Sequence, residues 1–294
     1  MKKAIISIIY GFLVLFTVFG DARLGISGTV EWDTREINAK VSLDLQSAGI
    51  RLPAGRTQGE NLVNNGYVKL IQPGILSLQV DSSSTIADLI SRGEMNLMDA
   101  EKLALEAWTV PPALSPDMRS ISASYTLHLG IIGSSLMRHK IPTPIMRTLN
   151  PVSTQNFTGI IIIANQNLPA YGMRSSFMPV PCLFPKIWDT DMNLIFERNM
   201  LEPTDSLPIR YASESSIFRN TPSGLSPELL SLVGERPLRI FARGVFGIQP
   251  TDLIISSDDA LLIISSAENR QLLSEGRIAI ILDDSKLRSS FSLE

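Results

Sequence analysis

Few side chains in this 294-residue chain could carry chemistry. There are two histidines, His128 and His139, and one cysteine, Cys182. A zinc site needs three or four imidazole, thiolate or carboxylate ligands held close together. The two histidines have no cysteine near them, so they read as surface or hydrogen-bonded side chains. A Ser-His-Asp or Cys-His set would have to use one of the same two histidines. No Gly-x-Ser-x-Gly elbow precedes a helix to present a serine. Cys182 lies in the apolar run Val180-Pro181-Cys182-Leu183-Phe184. It reads as a buried, inert thiol, and a lone cysteine closes no intrachain disulfide.

The carboxylates give a similar answer. Asp189-Thr190-Asp191 joins two apolar pieces, where aspartate favours a turn through side-chain to backbone hydrogen bonds. A calcium loop starting at Asp189 fails, because Leu194 stands where glycine belongs and Met200 where a bidentate glutamate belongs. Asp258-Asp259 fits a helix start, since adjacent helical residues do not face each other. Asp283-Asp284 reads as a solvated exit from a strand. No Gly-rich phosphate loop is present. Asn156-Phe157-Thr158 matches a glycosylation sequon. The residues therefore nominate no catalytic, cofactor-binding or metal-binding position. One enzymatic alternative stays open, an exported hydrolase with a dispersed carboxylate site. It requires several of Asp189, Asp191, Asp252, Asp258 and Asp259 to converge in one concave pocket.

The elements that would position these residues are of mixed type. Thr29–Trp32 alternates, Asp33–Glu36 can turn, and Ile37, Ala39, Val41, Leu43 and Leu45 then fall on every second position. That pattern predicts a β-hairpin with one buried face. Helices are predicted over Thr57–Ile71, stopped by Pro73-Gly74, over Thr85–Arg92 capped by Ser84, and over Leu97–Trp108, ended by Pro111-Pro112. Ser120–Gly130 alternates again, and a short helical or irregular piece follows to His139. Prolines 142, 144 and 151 mark a seam. Beyond it, Ile160–Ile163 predicts a strand buried on both faces. Residues 165–181 read as a loop, and Leu183–Trp188 and Asn193–Glu197 as paired strands. Residues 199–236 are polar, with one helix at Ser226–Val233. Leu238–Val245 predicts a strand and Asp252–Ile255 another. A helix over Asp258–Ser274 and a strand over Arg277–Leu282 then form a β-α-β ending. The fold class is α+β, with mixed and antiparallel sheets and packed helices in two subdomains.

Hydrophobic residues make up 44% of the chain and charged ones 19%, which leans towards a membrane protein until their placement is considered. Lys2 and Lys3 precede the apolar run Ala4–Gly20, and Gly20 and Ala22 supply small residues for cleavage after Ala22. This describes a secretory signal peptide, or an uncleaved N-terminal anchor. No second run is long enough to span a bilayer. Removing residues 1–22 moves the formal net charge from −3 to −4, a surface that gives no reason to expect nucleic acid. The expected organisation is residues 1–22 as leader, 23–150 as an N-terminal α+β domain and 151–294 as a C-terminal α+β domain.

Three stretches of the second half carry a resemblance. They are Phe157-Thr158-Gly159-Ile160-Ile161-Ile162, Pro185-Lys186-Ile187-Trp188-Asp189 with the apolar pair after it, and Asp252–Ser256 with Asp259-Ala260 and Leu273–Leu282. Together they resemble the exported envelope lipoproteins grouped with flagellar assembly protein T. The whole chain also looks like exported envelope proteins of spirochaetes. It departs from the lipoproteins in having no cysteine near the leader. The resemblance implies an envelope role and supplies no catalytic residue. The expected function is therefore that of an exported, non-enzymatic structural or assembly protein of the periplasm, associated with the flagellum. It would act by binding envelope proteins, peptidoglycan or flagellar basal-body components. A surface adhesin is a further alternative. Residues 165–181 and 199–225 are the expected interaction surface.

Overall fold

The computed structural model describes residues 24–203, 207, 209–218 and 224–293, so the leader expected over residues 1–22 lies outside the described residues. Strands β1 (Leu24–Glu31) and β2 (Glu36–Asp44) form the predicted hairpin. Its buried face is the alternating set Ile37, Ala39, Val41 and Leu43. Helix α1 (Arg56–Leu76) lies across that face with Gly59, Val63, Tyr67, Ile71 and Ile75 at four-residue spacing. The helix passes Pro73 and ends at Leu76, beyond the predicted stop. Near a helix end, proline's fixed φ remains helical and few intrahelical bonds are at stake. Burial of Gly74 and Ile75 then holds the last turn.

Two short strands, β3 (Gln79–Asp81) and β4 (Ser84–Thr85), precede helix α2 (Ile86–Ser91). Its cap is Thr85 rather than Ser84. The Thr85 hydroxyl accepts from the Asp88 N–H, and the Asp88 carboxylate accepts from the Thr85 N–H at 2.8 Å. Helix α3 (Leu97–Leu105) stops short of Trp108, which instead opens strand β5 (Trp108–Leu114). Pro111 and Pro112 are tolerated there because β5 is a sheet edge, and its register slips between Val110 and Ala113. Strand β6 (Ser120–His128) and helix α4 (Leu129–Leu136) follow.

The second half contains β7 (Ile160–Ile163), β8 (Leu168–Pro169), β9 (Ser176–Phe177), β10 (Ile187–Asp189), β11 (Leu194–Phe196) and β12 (Arg210–Ser213). Helix α5 (Pro227–Val233), β13 (Leu238–Phe241), β14 (Gly244–Phe246) and β15 (Asp252–Ile255) come next. Helices α6 (Ser257–Ile264) and α7 (Ala267–Ser274), β16 (Ile278–Leu282) and β17 (Arg288–Leu293) complete the order. Strands β12-β16-β7-β13 make a wholly parallel sheet. Its two faces bury into different places. Ile161, Ala279 and Ile281 meet Leu229 and Val233 of α5. Ile160, Ile162, Ile278 and Ile280 join the main core, which also contains the buried face of the first sheet. The four isoleucines are thus needed on both sides, as their run predicts.

Four more sequence expectations change in the second half. The predicted strand Leu238–Val245 is two strands in two sheets: β13 pairs with β7, and β14 pairs with β15 in the sheet β11-β10-β15-β14. The predicted helix Asp258–Ser274 breaks at Ser265-Ser266. Ser266 caps α7, and the buried Asn269 donates to the Leu262 and Gln155 carbonyls and accepts from the Phe157 N–H. The loop 165–181 carries the small hairpin β8-β9. Finally, the chain does not end on the β-α-β unit. After Asp283 caps a short turn, β17 returns to pair with β1, giving the antiparallel order β17-β1-β2-β6-β5. The last strand of residues 151–294 therefore completes the sheet of the first half.

No helix among the described residues is long and apolar enough to cross a membrane.

Candidate functional site

The expected interaction loop is one wall of an apolar groove. Residues 170–180 face residues 245–250 across a cavity of about 340 Å³. The walls are tied by backbone bonds from Tyr171 N–H to Val245 O (2.9 Å) and from Val180 N–H to Pro250 O (3.1 Å). Tyr171 meets Phe246 edge-on at 6.0 Å, and Phe246 meets Trp188 edge-on at 5.7 Å. Large apolar side chains stand open around the groove: Ile248 is 80% exposed, Met173 58%, Tyr171 52% and Phe177 41%. A contiguous set of this kind marks a contact surface. Met173 and Met178 add side chains that adapt to irregular partners. Lys286 supplies a positive charge to the lining. The opposite wall, 245–250, was not legible in the sequence, and the described part of 199–225 does not line the groove.

The groove rests on a polar hub. Asp252 is buried, and its Oδ1 accepts from the Lys186 N–H and the Thr251 hydroxyl, both at 3.2 Å. Its Oδ2 accepts from the Ser82 hydroxyl at 3.1 Å and the Trp188 indole N–H at 3.4 Å. Burial pushes its pKa up against the pull of these donors. Asp252 thus holds Trp188, which backs Phe246 in the groove wall. Ser82 also accepts, at its carbonyl, from the Gln249 N–H (2.8 Å). Gly247 at φ +105° presses on Ser82, where an added Cβ would lie 2.3 Å from the Ser82 Cβ, so only glycine fits.

The other nominated carboxylates are spent on local structure. Asp189 is buried and its carboxylate accepts from the Asp191 and Asn193 N–H groups and the Asn193 side chain, closing the β10–β11 turn. Asp191 accepts from the Ser257 hydroxyl (2.8 Å). Asp259 bonds Ser256 at the start of α6, and Asp258 is exposed. None of the five lines the groove. His128 lies on the outer face of β6, 3.6 Å from Glu36. His139 bonds the Leu201 carbonyl through Nε2 (2.7 Å). Cys182 is fully buried, and burial pushes its thiol pKa up. Among the described residues no group of His, Cys, Asp or Glu could hold a metal ion.

Residues 23–135 match the family model described as Treponema pallidum Tp0624, N-terminal domain. Residues 159–284 match the model described as Treponema pallidum Tp0624, second domain. The two matched stretches make the chain similar, in order, to two domains described for one spirochaete protein. No curated protein matches the chain.

The seam between the two matched stretches is bonded at several points. Leu183 and Phe184 donate to the Gln79 and Val80 carbonyls, both at 2.9 Å. Arg35 donates to the Leu207 carbonyl (2.6 Å), and Trp32 packs edge-on against Tyr211 at 5.8 Å. Ser82 of the first domain and Asp252 of the second are part of this seam, so the groove wall is set by both domains. The motif Thr158-Gly159, at the start of the second matched stretch, is a clamp. The Thr158 hydroxyl donates to the Val233 carbonyl (2.7 Å) and accepts from the Arg236 N–H (3.0 Å). Gly159 leaves no room for a side chain beside Val233.

Proposed function

We propose that this chain is exported by its first 22 residues and works in the periplasm as a structural or assembly protein of the cell envelope. It acts by binding other proteins and not by catalysis. In keeping with the lipoprotein-like stretches of its second half, its partners belong to the envelope, with the flagellar basal body as the first place to look. The observation that carries this reading is the apolar groove between residues 170–180 and 245–250. Its occupant is an extended segment of a partner protein. Apolar side chains of that segment fill the space around Tyr171, Phe246 and Ile248, and an acidic residue pairs with Lys286, the cation of the lining.

Selection of the mature protein against a random peptide library tests this. The expected product is a set of sequences with spaced large apolar residues and one Asp or Glu. Ile248→Ser and Met173→Ser should weaken the selected peptide by about tenfold each, the scale of one lost apolar anchor. Both side chains are exposed, so stability should stay within about 0.5 kcal/mol of the parent. Selected peptides with no shared pattern, or affinities blind to both substitutions, would remove the groove from the account.

A further inference from the structure

The first sheet presents a second surface, of opposite character. Helix α1 covers one face, and the other is open. The register aligns its outward residues in rows across all five strands. One row is Ser290, Thr29, Asn38, Thr126 and Trp108. The next is Ser292, Ser27, Lys40, Ser124 and Val110. Each row spans four strand spacings, roughly 19 Å. The strands enclose a shallow concavity of about 590 Å³, within the range of small-molecule sites. Thr126 and Asn38 bond each other (2.8 Å). The side chains of Ser27, Lys40, Ser124, Ser290 and Ser292 bond no other described residue. At the β5 edge, Trp108 is 66% exposed and stands in register with Thr126.

Hydroxyls both donate and accept, and they rotate to suit a partner that does the same. An aromatic ring beside them offers an apolar plate. A sugar ring has both features, a rim of hydroxyls and a flat C–H face. Charge narrows the choice. Lys40 is the cation at the centre of the rows and has no carboxylate partner among the described residues. The carboxylates of Glu36 and Asp44 lie four residues away along β2 in either direction, roughly 13 Å off. Glu31 lies beside Glu36 at the same end.

We propose that this open sheet face binds an acidic polysaccharide, with a sugar stacked on Trp108, a sugar carboxylate on Lys40, and hydroxyls bonded to Ser27, Ser124, Ser290 and Ser292. The site is separate from the groove and stands or falls independently of it.

The test is calorimetric titration of the full mature chain with short oligogalacturonates, using dextran oligomers as the neutral comparison. Binding of the acidic oligomers should be saturable and weaken with added salt. Lys40→Gln should lower affinity by about tenfold, the loss of one charge-assisted hydrogen bond. Trp108→Ala should do the same through lost stacking. Ser124→Asp, which adds a carboxylate beside Lys40, should abolish binding. Circular dichroism and thermal melts of all three exposed variants should match the parent. No binding of oligogalacturonate by the parent, equal binding of dextran, or affinities unmoved by Lys40→Gln and Trp108→Ala would each overturn the proposal. So would a concentration-dependent dimer in sedimentation that Trp108→Ala dissolves, since a second copy would then occupy the face.

Discussion

Gly159→Ala should be among the most damaging single-methyl additions in the second half of the chain. The added Cβ would stand 2.4 Å from the Val233 Cα and 2.6 Å from its carbonyl oxygen. Both are backbone atoms, so no rotamer change relieves the clash. The neighbouring backbone cannot yield easily either. Gly159 accepts from the Leu238 N–H, Thr158 is bonded on both sides to the α5–β13 connection, and Gly234 at φ +68° packs on Thr158. Shifting any of these disturbs the start of the central strand β7. The expected cost is on the order of 3 kcal/mol or more, at the upper end of overpacking effects. That corresponds to a fall in Tm of roughly 6–12 °C for a chain of this size. Gly25→Ala is the matched control, since its Cβ would meet neighbours only at 3.6 Å and beyond. A melt showing equal, small shifts for both variants would mean the clamp is not as tight as described.

The second large effect is expected at Asp252. Asp252→Ala would leave four donors, from Ser82, Lys186, Trp188 and Thr251, without their shared acceptor in a buried place. The expected cost is about 3 kcal/mol, measured by urea unfolding. Asp252→Asn keeps one acceptor oxygen but turns an N–H₂ group towards the Trp188 N–H, and should cost about half as much. Peptide binding in the groove should fall in both, because Trp188 backs Phe246. The pH dependence has a defined sign. Burial raises the folded-state pKa of Asp252 above the unfolded value. A group of that kind contributes stability that is full below the unfolded pKa, about 3.9, and is lost as pH rises through the raised folded value. The stability gap between the parent and Asp252→Asn should therefore be widest in acid and narrow towards neutral pH. A gap that widens instead as pH rises would mean that the hydrogen bonds outweigh burial at this carboxylate.

Much of the architecture follows from one-dimensional pattern. Ile37–Leu45 and Ile121–Leu129 alternate because α1 covers only one face of their sheet, and that asymmetry is written into the residues. Ile160–Ile163 has no polar alternate because both its faces are covered. The misses come where neighbours distant in sequence decide. Ala242 and Arg243 contain no glycine or proline, yet the chain changes sheets there, since Ala242 N–H bonds Ile163 and Arg243 N–H bonds Ile254. Strand β17 carries three serines and only Phe291 as an inward anchor, so its pattern is faint. Phe291 fits because Gly28 of β1 and Gly74 of α1 leave it a slot, and nothing near residue 291 says so. The helix break at Ser265-Ser266 depends on Asn269 reaching back to residues 155 and 157.

The site was half legible for the same reason. Residues 165–181 stand out by three prolines and Gly172. Their partner wall, 245–250, looks like an ordinary strand end until the parallel bridge from Ala170 to Val245 places it opposite. The acidic residues that drew attention as possible chemistry do structural work in turns, caps and the buried hub. Thr158-Gly159 and Asp189, which carried the resemblance, turn out to be a clamp and a turn closure. The residues that face solvent with something to offer are instead apolar ones in the groove and hydroxyls on the open sheet.

An extended partner segment seated in the groove should be trapped by photo-cross-linking in intact cells from a photoreactive residue at position 248. Discrete adducts are expected, their attachment site mapping to an apolar stretch of an envelope protein with a nearby acidic residue. Those adducts should be lost when Lys286→Glu is added, and absent when the photoreactive residue is moved to the exposed position 271. The same adducts from both positions, or none from 248, would contradict it.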